Sequence, residues 1–308
     1  MRIKLSINSN HPLLMQTPGG VGAWNGHEYF LNQAVEECDA WIVYEGIFAE
    51  ESCRCPDGRT ILITGEPSEV ASYDGAWLRQ FDAVRSVQAN LRHKSLQVGH
   101  TALPWHLGRS YDFLRSAVPT DKEADISIIC SDKAMTGGHR RRLRFVDELL
   151  REYPMQRYGR GYAEIDDKWD GLARFRYSLA IENSRHPHYW TEKITDCFLA
   201  ESVPVYWGAP NIGDYFPKDA MIILDSLDTS EALRILRDGV SKEDYARRLP
   251  ALREAKRLVM GKYNLFELAA HIAAEAPVSG VSRPVFLRPE RRSRFRNLIH
   301  KVADLIRS

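Results

Sequence analysis

Apolar residues in the first third of the chain fall in short blocks, 3–7, 40–44, 60–63 and 81–87, each closed by Asn, Gly, Pro or Asp. Blocks of that length between turn formers predict buried strands of an α/β domain. An irregular stretch from Leu103 to Ala124, with Pro104 and Pro119, separates them from a different pattern. There a strand-like run at 125–130 precedes helical spacing from about His139, with Leu143, Val146, Leu149 and Leu150 on one face. A second strand at 175–181 precedes a helix from Thr191 with Ile194, Cys197, Phe198 and Leu199 inward, and a third strand follows at 203–207. Alternating strands and helices predict a parallel sheet with helices on both faces. Helical patterns at 230–238, 241–249, 251–260 and 265–275 close this second unit. The expected organisation is therefore an N-terminal Rossmann-like domain at 1–112, a second at 113–276, and a linker with a basic tail at 277–308.

In an open parallel sheet, ligands sit beyond the carboxyl ends of the strands, where helix N-termini present free N–H groups and partial positive charge. Two such places here carry cations that the helix dipole disfavours. One is Gly137-Gly138-His139-Arg140-Arg141-Arg142, a glycine turn into a helix. The other follows the strand ending at Ile181 and puts Lys193 in the first turn of the next helix, with Thr191 as N-cap. A diphosphate beyond both helix ends accounts for the pair, although each alone reads equally as a solvated basic turn. Thr64-Gly65-Glu66 ends an apolar strand of the first domain, so a cleft between the domains would bring a carboxylate towards a phosphate ligand.

Composition narrows the class. With 44% hydrophobic and 27% charged residues among 308, the chain is an ordinary globular one, which excludes disordered, collagen-like and coiled-coil readings. No apolar run approaches the ~18 residues of a membrane span, and the N-terminus lacks the apolar length of a signal peptide, so a cytoplasmic location is expected. Five scattered cysteines suit a reducing compartment, and Cys53-Arg54-Cys55 has neither redox nor zinc spacing. A net charge of +1 argues against a nucleic-acid partner. The charge is nevertheless uneven, since residues 283–308 hold eight Lys or Arg against Glu290 and Asp304. Within that tail Phe295, Leu298, Ile299, Val302, Leu305 and Ile306 form a helical stripe. A basic amphipathic helix of this kind either lies on an anionic membrane or packs on protein.

The run from Phe175 to Glu182-Asn183-Ser184, four residues, then Tyr189-Trp190-Thr191-Glu192-Lys193, and Val203-Pro204-Val205-Tyr206-Trp207-Gly208-Ala209-Pro210 resembles the donor signature of glycosyltransferase family 10, the α-1,3/α-1,4-fucosyltransferases, in its bacterial form. The likeness is strong over 175–217 and thinner over the rest of 1–270, where Thr64-Gly65-Glu66, Arg142 and Tyr158-Gly159-Arg160-Gly161 follow in order. His188, Trp190 and Ile63 depart from the family's usual residues.

The resemblance implies a GT-B fold: two Rossmann-like domains facing a cleft, with the acceptor on the first and GDP-fucose on the second. By position, Glu66 corresponds to the general base, Arg142 and Lys193 to the diphosphate clamp, Glu192 to a fucose or ribose contact, and Asn183 and Tyr189 to further donor ligands. It implies an inverting glycosyltransferase acting on a glycan acceptor, such as an N-acetylglucosamine-containing lipopolysaccharide or oligosaccharide. No cofactor or metal ligand set is expected, and a divalent cation would at most stimulate. The rival readings are a GT-B transferase for another GDP- or UDP-sugar and a non-catalytic nucleotide- or RNA-phosphate-binding module.

Overall fold

A computed structural model describes residues 1–117, 122–132, 134, 137–276 and 280–290. The first domain is built on β1 (Arg2–Ile7), β2 (Ala23–Trp24), β3 (His27–Leu31), β4 (Ala40–Tyr44), β5 (Glu51–Pro56), β6 (Thr60–Thr64), β7 (Ala83–Ser86) and β8 (Leu96–Val98), with the short helix α1 (Gly75–Leu78) capped by Asp74. Its sheet has the order β2-β3-β1-β4-β6-β7-β8, all parallel except the β2–β3 pair. The strands β1, β4 and β6 are buried on both faces, which explains the apolar runs of β4 and β6; in β1 the equally buried Lys4 and Ser6 are both bonded to Glu51.

After α2 (Tyr111–Ser116) the second domain supplies β9 (Ala124–Ile129), α3 (Gly137–Glu152), β10 (Gln156–Tyr158), β11 (Phe175–Ile181), α4 (Glu192–Leu199), β12 (Val203–Trp207), β13 (Ile222–Ile223), α5 (Thr229–Gly239) and α6 (Lys242–Met260). Its all-parallel sheet runs β10-β9-β11-β12-β13. Strand order reverses at β9, so the crevice between the loops after β9 and β11 is the topological switch point.

Three expectations are corrected. The helical patterns at 241–249 and 251–260 are one helix, α6, that runs through Pro250. Proline inside a helix costs about 3 kcal/mol, but Tyr245, Leu252, Ala255, Val259 and Met260 are all buried, most of them in the second domain's core, and this outweighs the break. The helix α7 (Leu265–Glu275) belongs to the first domain, not the second. Its residues Phe266, Leu268, Ala269 and Ile272 pack with Ile3, Leu5, Ile42 and Ile61, and Trp24 Nε1 donates to Glu267 Oε2 at 2.6 Å. An amphipathic period marks a buried face without saying which sheet covers it.

Part of the supposed linker is a strand, β14 (Ser282–Leu287), antiparallel to β5, with Val285 and Leu287 inward beside Cys53 and Cys55. The Cys53-Arg54-Cys55 segment therefore alternates in and out of a strand, both thiols inward. The amphipathic stripe at 295–306 lies outside the described residues. Among those residues no helix is long and apolar enough to cross a membrane.

Candidate active site

At the switch point the start of α3 lies directly on the loop after β11. A Cβ on Gly138 would stand 1.9 Å from the carbonyl oxygen of Asn183, so only glycine lets the helix end approach. Gly159, at φ +125°, plays the same part on the other side, where a Cβ would meet the Cys130 carbonyl oxygen at 2.8 Å. This packing aims one arginine of the cluster. Arg142 is 7% exposed and its Nη1 donates to Asn183 Oδ1 at 2.7 Å, while its Nε is buried with no hydrogen-bond partner among the described residues. Arg141 is exposed, and the exposed Arg140 bonds the Ala134 carbonyl oxygen. A buried guanidinium with an unspent donor is a costly arrangement that an anionic ligand would relieve.

Thr191 caps α4, its hydroxyl accepting from the Lys193 N–H at 3.3 Å. That cap is held by Glu182 at the end of β11, whose carboxylate accepts from the Thr191 N–H at 2.8 Å and from its hydroxyl at 2.8 Å. Lys193 Nζ then lies 3.1 Å from Thr191 Oγ1 and 3.3 Å from both Glu182 Oε2 and Glu192 Oε1. Burial pushes Lys193 down, but Glu192 and then Glu182 outweigh it, and the ammonium is held above its usual range. Burial also pushes Glu192 up, yet Lys193, Lys168 and His106 take its carboxyl well below the ordinary range. At Glu182 burial wins over Lys193 and the Thr191 donors, raising it. Glu192 is thus the counter-ion of Lys193, and Glu182 is the hydrogen-bonding hub beneath it.

A second layer fixes Glu192. Lys168 Nζ reaches Asp196 Oδ2 at 3.1 Å and Glu192 Oε1 at 3.8 Å, and Asp196 Oδ1 accepts from the His106 N–H at 2.9 Å. Burial raises the Asp196 carboxyl to about 6, with Lys168 opposing. The His106 contact ties α4 to the segment that joins the two domains.

Glu66 approaches from the first domain, on the loop after β6. Its backbone carbonyl accepts from Gln88 Nε2 at 2.8 Å. Its carboxyl is pushed up to about 7, first by burial and next by Glu45, with Lys193 of the facing domain pulling the other way. Glu66 therefore senses the charge on Lys193 across the cleft. The same loop crosses to the second domain where Glu69 takes a 2.6 Å contact from His186 Nε2.

The structure pairs Arg142 with Asn183 by a hydrogen bond and Lys193 with Glu192 by an ion pair, and the charge of Arg142 acts on Lys193. Tyr189 is buried beside them, its hydroxyl pushed well up by burial and then by Glu182, Glu66 and Glu192. Sequence reading missed the supports Glu182, Lys168, Asp196 and Glu45. Glu182 alone had a usable signal, an acidic residue closing a fully apolar strand. The unusual residues have structural work. Trp190 stacks on His100 of the first domain at 5.5 Å, and Ile63 is fully buried. His188 takes φ +68° with Nδ1 2.5 Å from the Tyr215 hydroxyl.

Fold and site together define a GT-B protein, two Rossmann-like domains with a buried arginine and a half-buried lysine at the switch point of one and a raised carboxylate from the other. Over residues 120–246 the chain matches the model of the glycosyltransferase family 10 (fucosyltransferase) C-terminal domain. It is 32% identical over 74 residues to the alpha-(1,3)-fucosyltransferase FucT of Helicobacter pylori, covering 24% of this chain and 15% of the relative. It is 32% identical over 103 residues to human 4-galactosyl-N-acetylglucosaminide 3-alpha-L-fucosyltransferase 9, covering 32% and 29%. The matched stretches thus span less than a third of these relatives' length. A solved structure of an alpha1,3-fucosyltransferase with GDP superposes over 90% of this chain and 91% of its own, with TM-score 0.52 and 16% identity.

Proposed function

We propose that the chain is an inverting glycosyltransferase that moves fucose from GDP-fucose to a glycan hydroxyl, making an α-1,3 linkage to an N-acetylglucosamine-containing lipopolysaccharide or oligosaccharide. The observation that carries this reading is the buried Arg142 in the second turn of α3 and the half-buried Lys193 in the first turn of α4, with Lys193 acting on Glu66 across the cleft. The relatives named for fucosyl transfer support the donor sugar. In this reading the acceptor oxygen attacks the anomeric carbon, its proton passes to Glu66, and the bond to the β-phosphate oxygen breaks with its electron pair leaving on GDP. Arg142 and Lys193 stabilise the charge that grows on the leaving diphosphate. Glu192 and Tyr189 border the sugar, and Asn183 holds Arg142 in place. General-base catalysis of this kind contributes typically ~10²–10⁴-fold.

Calorimetry with GDP-fucose, GDP-mannose, UDP-galactose and GDP tests the donor. Preference for GDP-fucose, with product formed on an N-acetyllactosamine acceptor, is the expected result. Equal binding of every GDP-sugar would withdraw fucose and leave a GDP-hexose transferase. Salt-sensitive polynucleotide binding without GDP binding would favour the phosphate-binding module. Loss of activity in EDTA, restored by Mg²⁺ or Mn²⁺, would show that a divalent cation stimulates.

The place of action belongs to the same proposal: the cytoplasmic membrane face, reached through the basic stripe at 291–308, where a lipid-linked acceptor would be met. The full chain should float with anionic phosphatidylglycerol vesicles and not with neutral ones. A chain ending at Glu290 should stay in the soluble fraction, and equal flotation of the two would remove the tail from this role.

A further inference from the structure

The residue just beyond β4, Glu45, is left unused by the chemistry above, and its setting is unusual. Its φ of +60° is a left-handed conformation that a non-glycine residue adopts only when its surroundings hold it there. Two hydrogen bonds do so. Glu45 Oε1 accepts from the N–H of Gly65, the residue before Glu66, in a short contact, and Oε2 accepts from the Tyr73 hydroxyl at 3.2 Å. Gly65 in turn has no room for a side chain, since a Cβ there would lie 2.9 Å from Thr101 Oγ1 and 3.3 Å from Glu45 Oε1. The strained strand end of β4 therefore grips the turn that presents Glu66. In-register pairing of β4 with β6, Tyr44 opposite Ile63, brings the two strand ends side by side.

We propose that Glu45 is a positioning residue for the base: its carboxylate anchors the Gly65 N–H, fixing the turn that carries Glu66 and setting a second carboxylate beside it. This rests on the reading of Glu66 as the base.

The other groups facing Glu66 do not duplicate the role. From its own domain Tyr44 and Tyr73 face it, both pushed well above the ordinary phenol range by burial and then by Glu45, so they stay neutral. From the other domain Tyr189 is likewise neutral, Lys193 pulls Glu66 down, and Glu192 and Glu182 act behind that lysine with smaller effect. Glu45 is the strongest like charge on Glu66. Two carboxylates close together raise the proton affinity of one, and a base is most effective when its proton affinity matches the working pH.

The test is the pH profile of kcat/KM for fucosyl transfer by the wild type, Glu45→Gln and Glu45→Asp. Glutamine keeps an acceptor oxygen for Gly65 but removes the charge. The acid limb should then fall by about one pH unit, raising the ratio of kcat/KM at pH 6 to that at pH 8 about fivefold. Aspartate keeps the charge on a shorter arm, so the limb should stay in place while kcat drops. A limb unmoved in Glu45→Gln, within about 0.3 unit, overturns the proposal.

A second measurement needs no substrate: carboxyl-carbon NMR titration of Glu66, assigned through Glu66→Gln. It should show the same downward shift in Glu45→Gln. If no donor sugar is transferred by the wild type, the functional reading fails, and the NMR titration still decides whether Glu45 governs Glu66. If Glu45→Gln does not fold, the Glu45→Asp pair of measurements decides: a limb that moves away from the wild-type value overturns the role of the charge.

Discussion

Lys193→Ala is expected to weaken GDP-sugar binding by at least about a hundredfold and to destabilise the fold by about 3 kcal/mol. The two losses have separate causes. A charge-assisted hydrogen bond to a phosphate is worth about 1.5–3 kcal/mol, and Lys193 has the ammonium best placed to make one at the α4 N-terminus. The stability loss comes from Glu192, whose half-buried carboxylate loses its principal counter-ion and keeps the more distant Lys168, at 3.8 Å, and the weaker influence of His106. Calorimetry gives the first quantity and denaturant unfolding the second. Lys193→Arg should recover most of the stability but less of the binding, because the fork of the guanidinium does not superpose on an ammonium held between Thr191 and two glutamates. Donor binding undiminished in Lys193→Ala would take the lysine out of the site.

Glu66→Gln should lower the transfer rate by about 10²–10⁴-fold while leaving GDP binding intact, since Glu66 takes the proton and touches no phosphate. The same variant carries a stability signature. Glu66 is raised from 4.5 to about 7 in the folded protein, so the native state binds its proton more tightly than the unfolded chain does. Its contribution is therefore fully present below about pH 4.5 and is lost as the pH rises through 7. Above that, an ionised Glu66 opposes folding. Glu66→Gln should thus be more stable than the wild type at pH 8, by on the order of 1–2 kcal/mol, and the advantage should shrink to about a quarter at pH 5 and vanish below about pH 4. Wild-type kcat/KM should rise with pH towards a plateau above 7. A Glu66→Gln protein that keeps full transfer activity would assign the base elsewhere, and equal stabilities at pH 8 and 5 would show that Glu66 is not held in a raised state.

How much of this was legible in the sequence differs by level. The strands β1, β4, β6, β11 and β12 were readable because strands buried on both faces are mostly apolar, even where Lys4, Ser6, Arg176 and Ser178 interrupt them. The short strands β2, β8, β10 and β13 hold two or three residues each, too few to form a pattern. Arg142 and Lys193 drew notice because cations at helix N-termini oppose the dipole, and that signal is local in the chain. Glu45, Lys168 and Asp196 gave none, because an acidic residue beside a glycine or a lysine in a loop looks solvated until the neighbours that bury it are known.

The alternation of strands and helices, the caps, and the residue types at the switch point can be read from the order of residues alone, because all of them depend on neighbours a few positions apart. Only the tertiary structure decided that α7 returns to the first sheet and that β14 covers β5. The same holds for the one arginine of three that turns inward, and for the pairing of Glu66 with Glu45 and Lys193 across a cleft. The physical reason is range. Periodicity and capping are set within one or two turns of chain, whereas desolvation and Coulomb coupling depend on groups that folding brings together from about twenty to more than a hundred residues apart.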